Sequence, residues 1–539
     1  MLYPYSMFGT IRSFAGQYLR SLSRRELFQR AGALSVPGLL GGAAAAQSAA
    51  PDIYQSIGVR PLINCRGTFT IVGGSLILPE VRDAMDAASR RFVHIDEMMN
   101  GIGKRLAELT GAEWGIVTSG CAAALAHATA ACVAGGNPDL HVRIPNLEGF
   151  DKDEVIIPTH SRNVYDSAIR SVGVRIVEVA NREEFENALG PRTAMVYIFA
   201  GPRADNGPLP YETITRIAKQ RNVPVLVDAA AEILTVPNVH FQRGATLVGY
   251  SGGKALRGPQ SAGILLGRKD LVQAAWVHSA PHHGHGRSMK FGKEEAMGML
   301  MAVEMWMKRD HKAEMKQWIV WLNTIAERVG KVDGVTTSVR EPRELSNHSP
   351  VLSIRWDAGK LGISGEEVAK ILYTTEPRIS ISGGRRNSGG TPSDTGLSIT
   401  AYMMSAGEDK LVGDRLFQVL SEKRPSRQNT ASTTPSADLS GRWDVRIEFA
   451  SSSSTHVLHL KQDGNRVVGT HQGNFQARDM SGSIDGGAVR LASTVTEAHG
   501  DALSYTFTGT VQGDGMSGTL DMGEYLGAKW TAVRHAFKA

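Results

Sequence analysis

Cysteine is scarce in this chain, which has three cysteines in 539 residues. Cys65, Cys121 and Cys132 are too few, and odd in number, to form a disulfide framework, so we interpret them as small buried apolar residues. Basic runs with interleaved aromatic residues are also missing, which argues against nucleic-acid binding. The net charge of +6 comes in part from arginines in the first thirty residues, before the expected folded body begins.

A strong apolar run that could span a membrane is missing at the N-terminus. The uncharged stretch AGALSVPGLLGGAAAAQSAAP is rich in glycine and alanine and is broken by Pro37. It follows the pair Arg24-Arg25, and this order of basic, apolar and small residues is typical of a secretory signal, here of the twin-arginine type. We therefore expect residues 1–50 to be a signal and the protein to be periplasmic or extracellular, without stable membrane insertion after removal of the signal. An N-terminal anchor and a basic disordered tail are the alternatives.

The length of the chain predicts two to four domains. In residues 51–330, short β-branched runs alternate with amphipathic segments, which predicts an α/β large domain with a mainly parallel sheet covered on both faces. The predicted strands are GIVTSG, EVIIPTH, RIVEVA, AMVYIFAG, VPVLVDAA, ATLVGYSGG and AGILLG. The predicted helices are PEVRDAMDAASRRF, IGKRLAELTG, AAALAHATAACVAGG, VYDSAIRSVG, YETITRIAKQRN and one long tract from Lys290 to Gly330.

The remainder of the chain divides into three parts. Residues 331–420 predict a small α+β domain, and residues 421–438, rich in serine, threonine and proline, predict a linker. Residues 439–539 alternate at period two between turn-like DGN, DGG and GDG, which predicts an all-β barrel or sandwich. Its predicted strands are WDVRIEFA, THVLHLKQ, NRVVGTHQ, AVRLASTV, LSYTFTGTV and KWTAVRH. We find no catalytic constellation there, and a ligand-binding or adhesive module is the most that the pattern indicates.

Two motifs of the large domain place polar residues at predicted strand ends. VTSGCAAALAHA runs from a strand through Ser119 and Gly120 into a helix, whose free N–H groups favour a phosphate. VPVLVDAAAE places Asp228 directly after an apolar strand, at the edge where parallel sheets bind ligands. Helix capping is the alternative interpretation of both motifs.

A third motif, YSGGKALRGPQSAG, surrounds Lys254 with glycines. A desolvated lysine can lose its proton and attack a carbonyl carbon, and Ser251 can donate a hydrogen bond to a phosphate. We expect the glycines to let a flat ring approach the backbone. A phosphate loop, an aspartate and a reactive lysine in this order fit pyridoxal 5′-phosphate, with Asp228 keeping the pyridine nitrogen protonated.

At this point the chain resembles the fold-type I pyridoxal-phosphate enzymes. NCRGTFTIVGGS, GAEWGIVTSGCAAAL, GGKALRGPQSAGILLGRKDLV and GRSMKFGKEE are similar to motifs of the aminotransferase class V-like group that includes bacterial seryl-tRNA selenium transferases and D-glucosaminate-6-phosphate ammonia-lyases. The resemblance covers about Asp52 to Leu420 and implies that Lys254 forms the internal aldimine. It also implies that Asp228 contacts the pyridine nitrogen and that phosphate contacts come from Ser119, Gly120, Cys121 and Ser251.

Further residues are assigned by the same resemblance. His160, which ends EVIIPTH, stands where such enzymes often stack a histidine on the cofactor ring, with a strand-end cap as the alternative. Arg257 is expected to contact the cofactor phosphate or a neighbouring subunit. Ala231 departs from related desulfurases, which have glutamine there. A homodimer or higher homo-oligomer is expected, because such active sites usually lie between subunits.

Substrate binding requires cations that hold carboxylates or phosphates. Arg287 and Lys290 match the family motif GRSMKFGKEE, and Arg386, in the small domain, stands where related enzymes hold the substrate carboxylate. The alternative is that these are solvated loop charges. The adjacent sequence HHGHG, residues 282–286, has no nearby Asp, Glu or Cys, so we expect no metal site there.

The motifs favour a lyase. Lys254 would remove the Cα proton of an amino acid or amino sugar acid, and a β-substituent would then be eliminated. A transferase, either an aminotransferase or similar to the selenium transferases, is the first alternative, because the lysine loop does not separate these reactions. The second is a non-enzymatic exported binding protein that kept a degenerate cofactor scaffold.

Overall fold

The computed structural model describes residues 52–384, 394–425, 433–497 and 502–536. The unit that ends at Arg60 contains a 3₁₀ turn, Gln55–Ile57, with exposed apolar side chains at Ile53 and Ile57. The rest of the chain forms the second unit, which contains the elements given below. In the described residues no helix is both long and apolar enough to cross a membrane.

The second unit begins with a two-residue strand, β1 (Ile63–Asn64). The large lobe is then built on seven strands, β2 (Trp114–Thr118), β3 (Glu154–Pro158), β4 (Arg175–Val179), β5 (Thr193–Phe199), β6 (Val225–Asp228), β7 (Leu247–Ser251) and β8 (Gly263–Gly267). They lie in the order β2–β8–β7–β6–β5–β3–β4, and β8 runs antiparallel to its two neighbours. The predicted mainly parallel sheet is confirmed. Its strands β2, β3 and β6 are buried throughout, as expected for a sheet covered on both faces.

Helices cover this sheet. They are α1 (Pro79–Ser89), α2 (Ile95–Thr110), α3 (Gly120–Ala134), α4 (Pro138–His141), α5 (Ser167–Arg170), α6 (Arg182–Ala188), α7 (Pro202–Asn206), α8 (Tyr211–Gln220), α9 (Val239–Gln242), α10 (Lys269–Val277) and α11 (Lys293–Lys308). Short 3₁₀ turns lie at Thr70–Val72, Thr159–Ser161, Val164–Asp166 and Arg287–Met289. The helix α3 is rich in alanine and buried almost all round, which lets it lie directly on the sheet against β7 and β8.

The long helical tract predicted from Lys290 to Gly330 is divided in two. The helix α11 ends at Lys308, and α12 (His311–Val329) begins after Asp310, whose side chain accepts a hydrogen bond from the Ala313 amide, as an N-cap does. The buried side chains of α11, including Trp306, join the core of the large lobe. Those of α12 join a second core with the small lobe, so the two helices connect the lobes.

The small lobe is an antiparallel sheet with helices on it. Its elements are β9 (Thr336–Arg340), β10 (Val351–Asp357), α13 (Ala358–Leu361), α14 (Gly365–Thr374), β11 (Ile379–Ser380), β12 (Ser382–Gly383), β13 (Asp394–Thr400) and α15 (Glu408–Ser421). Four strands lie in the order β12–β13–β10–β9, and β11 pairs in parallel with β1. The chain before the large lobe is thereby tied to the small lobe.

The C-terminal domain is a closed barrel of eight antiparallel strands. These are β14 (Gly441–Glu448), β15 (Ser453–Asp463), β16 (Arg466–Gln472), β17 (Ala477–Asp485), β18 (Ala488–Thr496), β19 (Ala502–Gln512), β20 (Gly515–Asp521) and β21 (Gly527–Arg534), with a 3₁₀ turn at Gly523–Tyr525. Closure leaves no exposed sheet edge. The strands β17 and β20 were not predicted, because glycine, serine and aspartate weaken their strand pattern. Thr433 and Ser436, in the expected linker, already hydrogen-bond to the β17–β18 hairpin.

A buried ion triad fixes the chain that follows β3. Asp166 is fully buried and accepts hydrogen bonds from Arg162 at 2.6 Å and from Arg170 at 2.8 Å. Arg162 is itself buried and has a second partner in Glu178, whereas Arg170 is partly exposed. Removing Asp166 takes one of two carboxylates from a buried guanidinium, which is more costly than losing an exposed pair.

We predict that Asp166→Ala lowers the free energy of unfolding of the large lobe by about 3–5 kcal/mol. The matched control is Asp86→Ala, because Asp86 forms an equivalent i,i+4 pair with Arg90 at 2.5 Å whose two side chains are exposed. The control loses less than about 1 kcal/mol. Chemical denaturation of both variants measures the difference, and equal losses would contradict the prediction.

Candidate active site

The candidate site lies where the carboxyl ends of β6 and β7 meet the first turn of α3. In an open, mainly parallel sheet, this edge is where ligands bind. Asp228 is the last residue of β6, Ser251 is the last residue of β7, and Ser119 precedes α3. Three of the motifs singled out in the sequence are therefore brought to one edge of the sheet.

Asp228 is the buried charge of this site, with 2% of its surface exposed. Its Oδ1 accepts a hydrogen bond from the Ala230 amide at 3.0 Å, and its Oδ2 accepts one from the Tyr197 hydroxyl at 3.0 Å. Burial raises the pKa of Asp228, while the Ala230 amide and the charge of Lys254 act in the opposite direction. Asp228 is thus held by donors within the protein, rather than by capping of a following helix.

Tyr197 and Asn163 complete this network, and the sequence analysis missed both residues. The Tyr197 hydroxyl accepts a hydrogen bond from Asn163 Nδ2 at 3.0 Å and donates to Asp228. Burial, together with the charge of Asp228, raises the pKa of Tyr197 well above its ordinary value, so this hydroxyl keeps its proton. A tyrosine inside an otherwise apolar buried strand was the available signal, because a buried hydroxyl requires a partner.

The first turn of α3 has the properties of an anion site. Within the described residues, the Ser119 side chain makes no capping hydrogen bond to α3, although Ser119 occupies the N-cap position. Gly120 has φ of +77°, a left-handed conformation that favours glycine. The free N–H groups at this end of a fifteen-residue helix are a suitable place for a phosphate.

Cys121 faces the aspartate. Its Sγ lies 3.7 Å from Asp228 Oδ1 in a buried position, and burial raises the pKa of the thiol well above its ordinary value. The interpretation of Cys121 as a small buried residue fits this position. Because the thiol is directed at Asp228, a phosphate contact from this residue would come from its backbone N–H.

The glycines around Lys254 are required by close packing of the chain on itself. A Cβ on Gly252 would lie 2.4 Å from the Sδ of Met299 and 2.7 Å from the carbonyl oxygen of Ala262. A Cβ on Gly263 would lie 2.6 Å from the carbonyl carbon of Gly120. The bare backbone therefore lets the lysine loop pack against α11 and lets β8 pack against the start of α3. The expectation that glycines of this loop also let a ring approach the backbone stays a prediction.

His160 lies in the 3₁₀ turn after β3 and is half-buried. Its Nε2 is buried and has no hydrogen-bond partner among the described residues. Burial lowers the pKa of His160, which favours the neutral ring. The neighbouring Ser161 is tied to β5 by a hydrogen bond of 3.1 Å from the Phe199 amide to its Oγ. The stacking of His160 on a cofactor ring stays a prediction.

A cavity of about 780 Å³ adjoins Lys254. Its wall also contains Arg257, Ala231 and Tyr402, and Tyr402 shares a hydrogen bond of 3.0 Å with Thr68 of the NCRGTFT motif. Arg257 adopts φ of +56° and donates from Nε to the Leu76 carbonyl at 2.9 Å. This cavity lies between residues of both lobes and is large enough for a small-molecule ligand.

Arg309 stands in the same wall, at the break between α11 and α12. Its guanidinium donates to the Ala255 carbonyl at 3.1 Å and forms a two-point ion pair with Glu314 at 2.9 and 2.8 Å. Arg309 was not among the predicted site residues, because the stretch that contains it was predicted to be one continuous helix.

Two of the three predicted substrate-binding residues are not brought into this cavity. Arg287 and Lys290 are exposed and, among the described residues, neither belongs to the cavity wall. Their loop packs against α3, where a Cβ on Gly286 would lie 2.3 Å from the His127 ring. Arg386 lies outside the described residues. In the described residues no three His, Cys, Asp or Glu side chains, including those of HHGHG, converge as metal ligands do.

Comparisons with known proteins identify the family. Residues 87–298 match the family described as aminotransferase class-V. The D-glucosaminate-6-phosphate ammonia lyase of Salmonella typhimurium (strain 14028s / SGSC 2262) is 32% identical over 338 residues, which are 61% of this chain and 89% of the relative. The solved structure of D-glucosaminate-6-phosphate ammonia-lyase matches with a TM-score of 0.60 and 29% identity, over 69% of this chain and 98% of that one. The chain belongs to the aminotransferase class-V family.

Two further relatives show the range of this family. The 5′-C-glycyluridine monooxygenase-decarboxylase of a Streptomyces sp is 32% identical, over 52% of this chain and 72% of its own length. The L-seryl-tRNA(Sec) selenium transferase of Proteus mirabilis (strain HI4320) is 25% identical, over 45% of this chain and 55% of its own length. The resemblance to the fold-type I group of lyases and selenium transferases is confirmed, and this class-V protein is a pyridoxal-phosphate enzyme.

The residues present in this class-V enzyme fit pyridoxal phosphate. The first turn of α3 offers free donors for a phosphate, and a buried carboxylate with a raised pKa suits a pyridinium nitrogen. The orphaned Nε2 of His160 also requires a partner that the described residues do not supply. The first two features lie at the same edge of the sheet and together suit a bound cofactor.

We predict that Asp228→Asn stabilises the apoenzyme at alkaline pH. Because burial raises the folded pKa of Asp228, the stability that its neutral form provides is present below the unfolded pKa and is lost as the pH rises through the folded pKa. Asparagine remains neutral; its Oδ1 can accept from the Ala230 amide, and its Nδ2 can donate to the Tyr197 hydroxyl oxygen. Thermal unfolding of apoenzyme between pH 4 and pH 8 should show a difference in Tm that grows with pH.

The matched control is Asp166→Asn, whose carboxylate is paired with two arginines and whose loss should destabilise the fold. An apoenzyme that Asp228→Asn destabilises at pH 8 would contradict the assignment of Asp228 as a charge retained for the cofactor.

Proposed function

We propose that this enzyme is a lyase acting on an anionic amino acid or amino sugar acid, by Cα-proton abstraction and β-elimination. The observation that carries the proposal is Lys254, in the wall of the 780 Å³ cavity and close enough to the buried Asp228 to lower its pKa electrostatically. The family, which includes an ammonia lyase 32% identical to this chain, supports the reaction class. Pyridoxal phosphate, when bound, supplies the electron sink that makes the Cα–H bond acidic.

Each residue of the site then has a stated task. The N–H groups at Gly120 and Cys121, with the hydroxyls of Ser119 and Ser251, hold the phosphate. Asp228 would accept the pyridinium N–H, and Tyr197, fixed by Asn163, keeps the carboxylate oriented. His160 would lie against the ring, as the family resemblance implies.

Lys254 would hold the cofactor through its amine, and the same amine would be the base that accepts the Cα proton of the substrate. The bond from Cβ to its substituent then breaks, and the electron pair leaves with the substituent. One water molecule hydrolyses the released enamine to ammonia and a 2-oxo acid. A lyase of this kind consumes no keto-acid acceptor, whereas an aminotransferase requires one.

The charge of the cavity supports an anionic substrate. Five cationic side chains and two carboxylates line it, and one of those carboxylates, Glu314, is already paired with Arg309. The cations are Lys254, Arg257, Arg309, Lys312 and Lys316. A cavity with this excess favours a substrate that carries a second anionic group beyond its α-carboxylate, such as a phosphate.

Two expectations complete the proposal. Export by the twin-arginine pathway rests on Arg24-Arg25 and the apolar stretch after them, in residues 1–50, which lie outside the described residues. Assembly into a homodimer or higher oligomer rests on the family resemblance. Arg287 and Lys290, exposed in one chain, would then serve a neighbouring subunit's site.

We predict that Lys254→Ala abolishes ammonia release from amino sugar acids and β-substituted amino acids. In the wild type, release should proceed without an added 2-oxo acid. Borohydride reduction and peptide mass spectrometry should place the cofactor on Lys254. Lys219→Ala, which replaces an exposed lysine of α8, is the control and should retain full activity.

Turnover that depends on an added 2-oxo acid would replace the lyase by an aminotransferase. Retention of activity in Lys254→Ala would contradict the proposal altogether.

We predict that Arg257→Met raises the Kd of pyridoxal phosphate at least tenfold. Arg257 is half-buried, and burial together with the charge of Arg309 lowers its pKa, so an anion beside it relieves a cost present in the apoenzyme. Loss of one charge-assisted hydrogen bond corresponds to about 1.5–3 kcal/mol. Absorbance titration of apoenzyme measures the Kd, with Arg90→Met as an exposed control.

An unchanged Kd with a raised KM would assign Arg257 to the substrate instead. If neither constant changes, Arg257 has no part in anion binding.

A further inference from the structure

One end of the C-terminal barrel has a polar interior. His456 on β15, His471 on β16, Arg478 on β17 and Ser493 on β18 are all buried, although each has a polar or charged side chain. Each of these four residues lies within a few residues of the turn 449–452, the turn 473–476 or the end of β18. These three places are at the same end of the barrel. The interior of a small barrel is normally filled by apolar side chains, as it is here around Trp443, so a polar cluster requires an explanation.

The two histidines form a neutral hydrogen-bonded chain. His456 Nδ1 lies 2.8 Å from His471 Nε2, and His471 Nδ1 lies 2.8 Å from Ser493 Oγ. Burial lowers the pKa of His471 to about 3, and burial and the charge of Arg478 lower the pKa of His456. At neutral pH the positive charge of this cluster therefore resides on Arg478.

Arg478 is the unsatisfied member of the cluster. Its residue is 8% exposed, and its Nε and Nη1 are buried without a hydrogen-bond partner among the described residues. Its guanidinium carbon lies 4.8 Å from the centre of the Tyr505 ring, and no carboxylate in the described residues forms an ion pair with it. A buried cation with unused donors is expensive unless an anion completes it.

The same end of the barrel has an apolar opening. A cavity of about 340 Å³ is lined by Phe449, Leu503, Tyr505, Met522 and Leu526, so Tyr505 contacts both this cavity and the guanidinium. The volume lies at the lower end of small-molecule pockets, roughly 300–1,000 Å³. In the wall of this cavity, Leu526 is 74% exposed. Leu526 also has φ of +69°, a conformation that costs energy for a leucine.

We propose that the barrel binds a small organic acid, with its carboxylate on Arg478 and its apolar body in the cavity beside Tyr505 and Leu526. The fork of the guanidinium matches a carboxylate, and the neutral histidines and Ser493 add hydrogen-bonding atoms. The apolar wall of the cavity accounts for the preference for an acid with a hydrocarbon body over a simple inorganic anion. This site is separate from the residues around Lys254 and does not depend on the proposed reaction.

Isothermal titration calorimetry of the full-length holoenzyme tests the proposal. The probes are hexanoate, hexanamide and acetate. Hexanoate should bind at one site per chain, and hexanamide, which has the same size without the charge, should bind at least tenfold more weakly. Acetate should also be at least tenfold weaker, because it lacks the apolar body. Equal binding of hexanoate and hexanamide, or no binding of hexanoate, would overturn the proposal.

Two variants locate the site. Arg478→Gln should weaken hexanoate at least tenfold, and Arg490→Gln, which replaces an exposed arginine of β18, should not change it. Because Leu526 is 74% exposed, Leu526→Asn should remove an apolar contact of the cavity and weaken hexanoate with little effect on folding. Ammonia release should be unchanged in all three variants. Hexanoate binding that survives both Arg478→Gln and Leu526→Asn would place the ligand elsewhere and overturn the proposal.

If Arg478→Gln does not fold, the Leu526 variant and the comparison of hexanoate with hexanamide on the wild type still decide the outcome.

Discussion

The carboxylate of Asp228 is kept out of water at the carboxyl end of β6, and the elements around it are arranged to satisfy it. β5 contributes the Tyr197 hydroxyl, the turn after β6 contributes an amide, and α3 brings the Cys121 thiol. The order of strands in the sheet makes this possible, because β5 and β7 lie on either side of β6. The site therefore depends on the order of the strands in the sheet more than on any single motif.

The lysine loop depends on the same arrangement. β8 runs against β7 and presses its first glycine on the first turn of α3, so the loop between them is held between the sheet and α11. A side chain at Gly252 or Gly263 would push these parts away from one another. The glycines make this loop a poor helix and a poor strand, but they allow the close packing that fixes the position of Lys254.

Periodicity was sufficient to predict the parallel sheet, because its strands are short apolar runs bounded by glycine, proline or polar residues. The same reasoning failed where local and tertiary signals disagree. The tract from Lys290 to Gly330 has helical spacing throughout, yet an aspartate cap at residue 310 starts a new helix that packs in another core. β17 and β20 were missed because the barrel, rather than their composition, makes them strands.

The sequence motifs were sufficient to predict one part of the candidate site. Asp228, Ser251, Lys254 and the start of α3 lie together because each follows or precedes a strand of one sheet. Tyr197, Asn163 and Arg309 could not be found in this way, since their roles arise from contacts between elements distant in the chain. The barrel cluster has the same origin, as its members come from neighbouring strands that closure brings inward.

Arg309, at the junction between α11 and α12, connects two parts of the molecule. Its guanidinium joins the first turn of α12 to the carbonyl of Ala255, the residue after Lys254. Because α12 packs in the core of the small lobe, this one side chain links a helix of that core to the lysine loop of the large lobe.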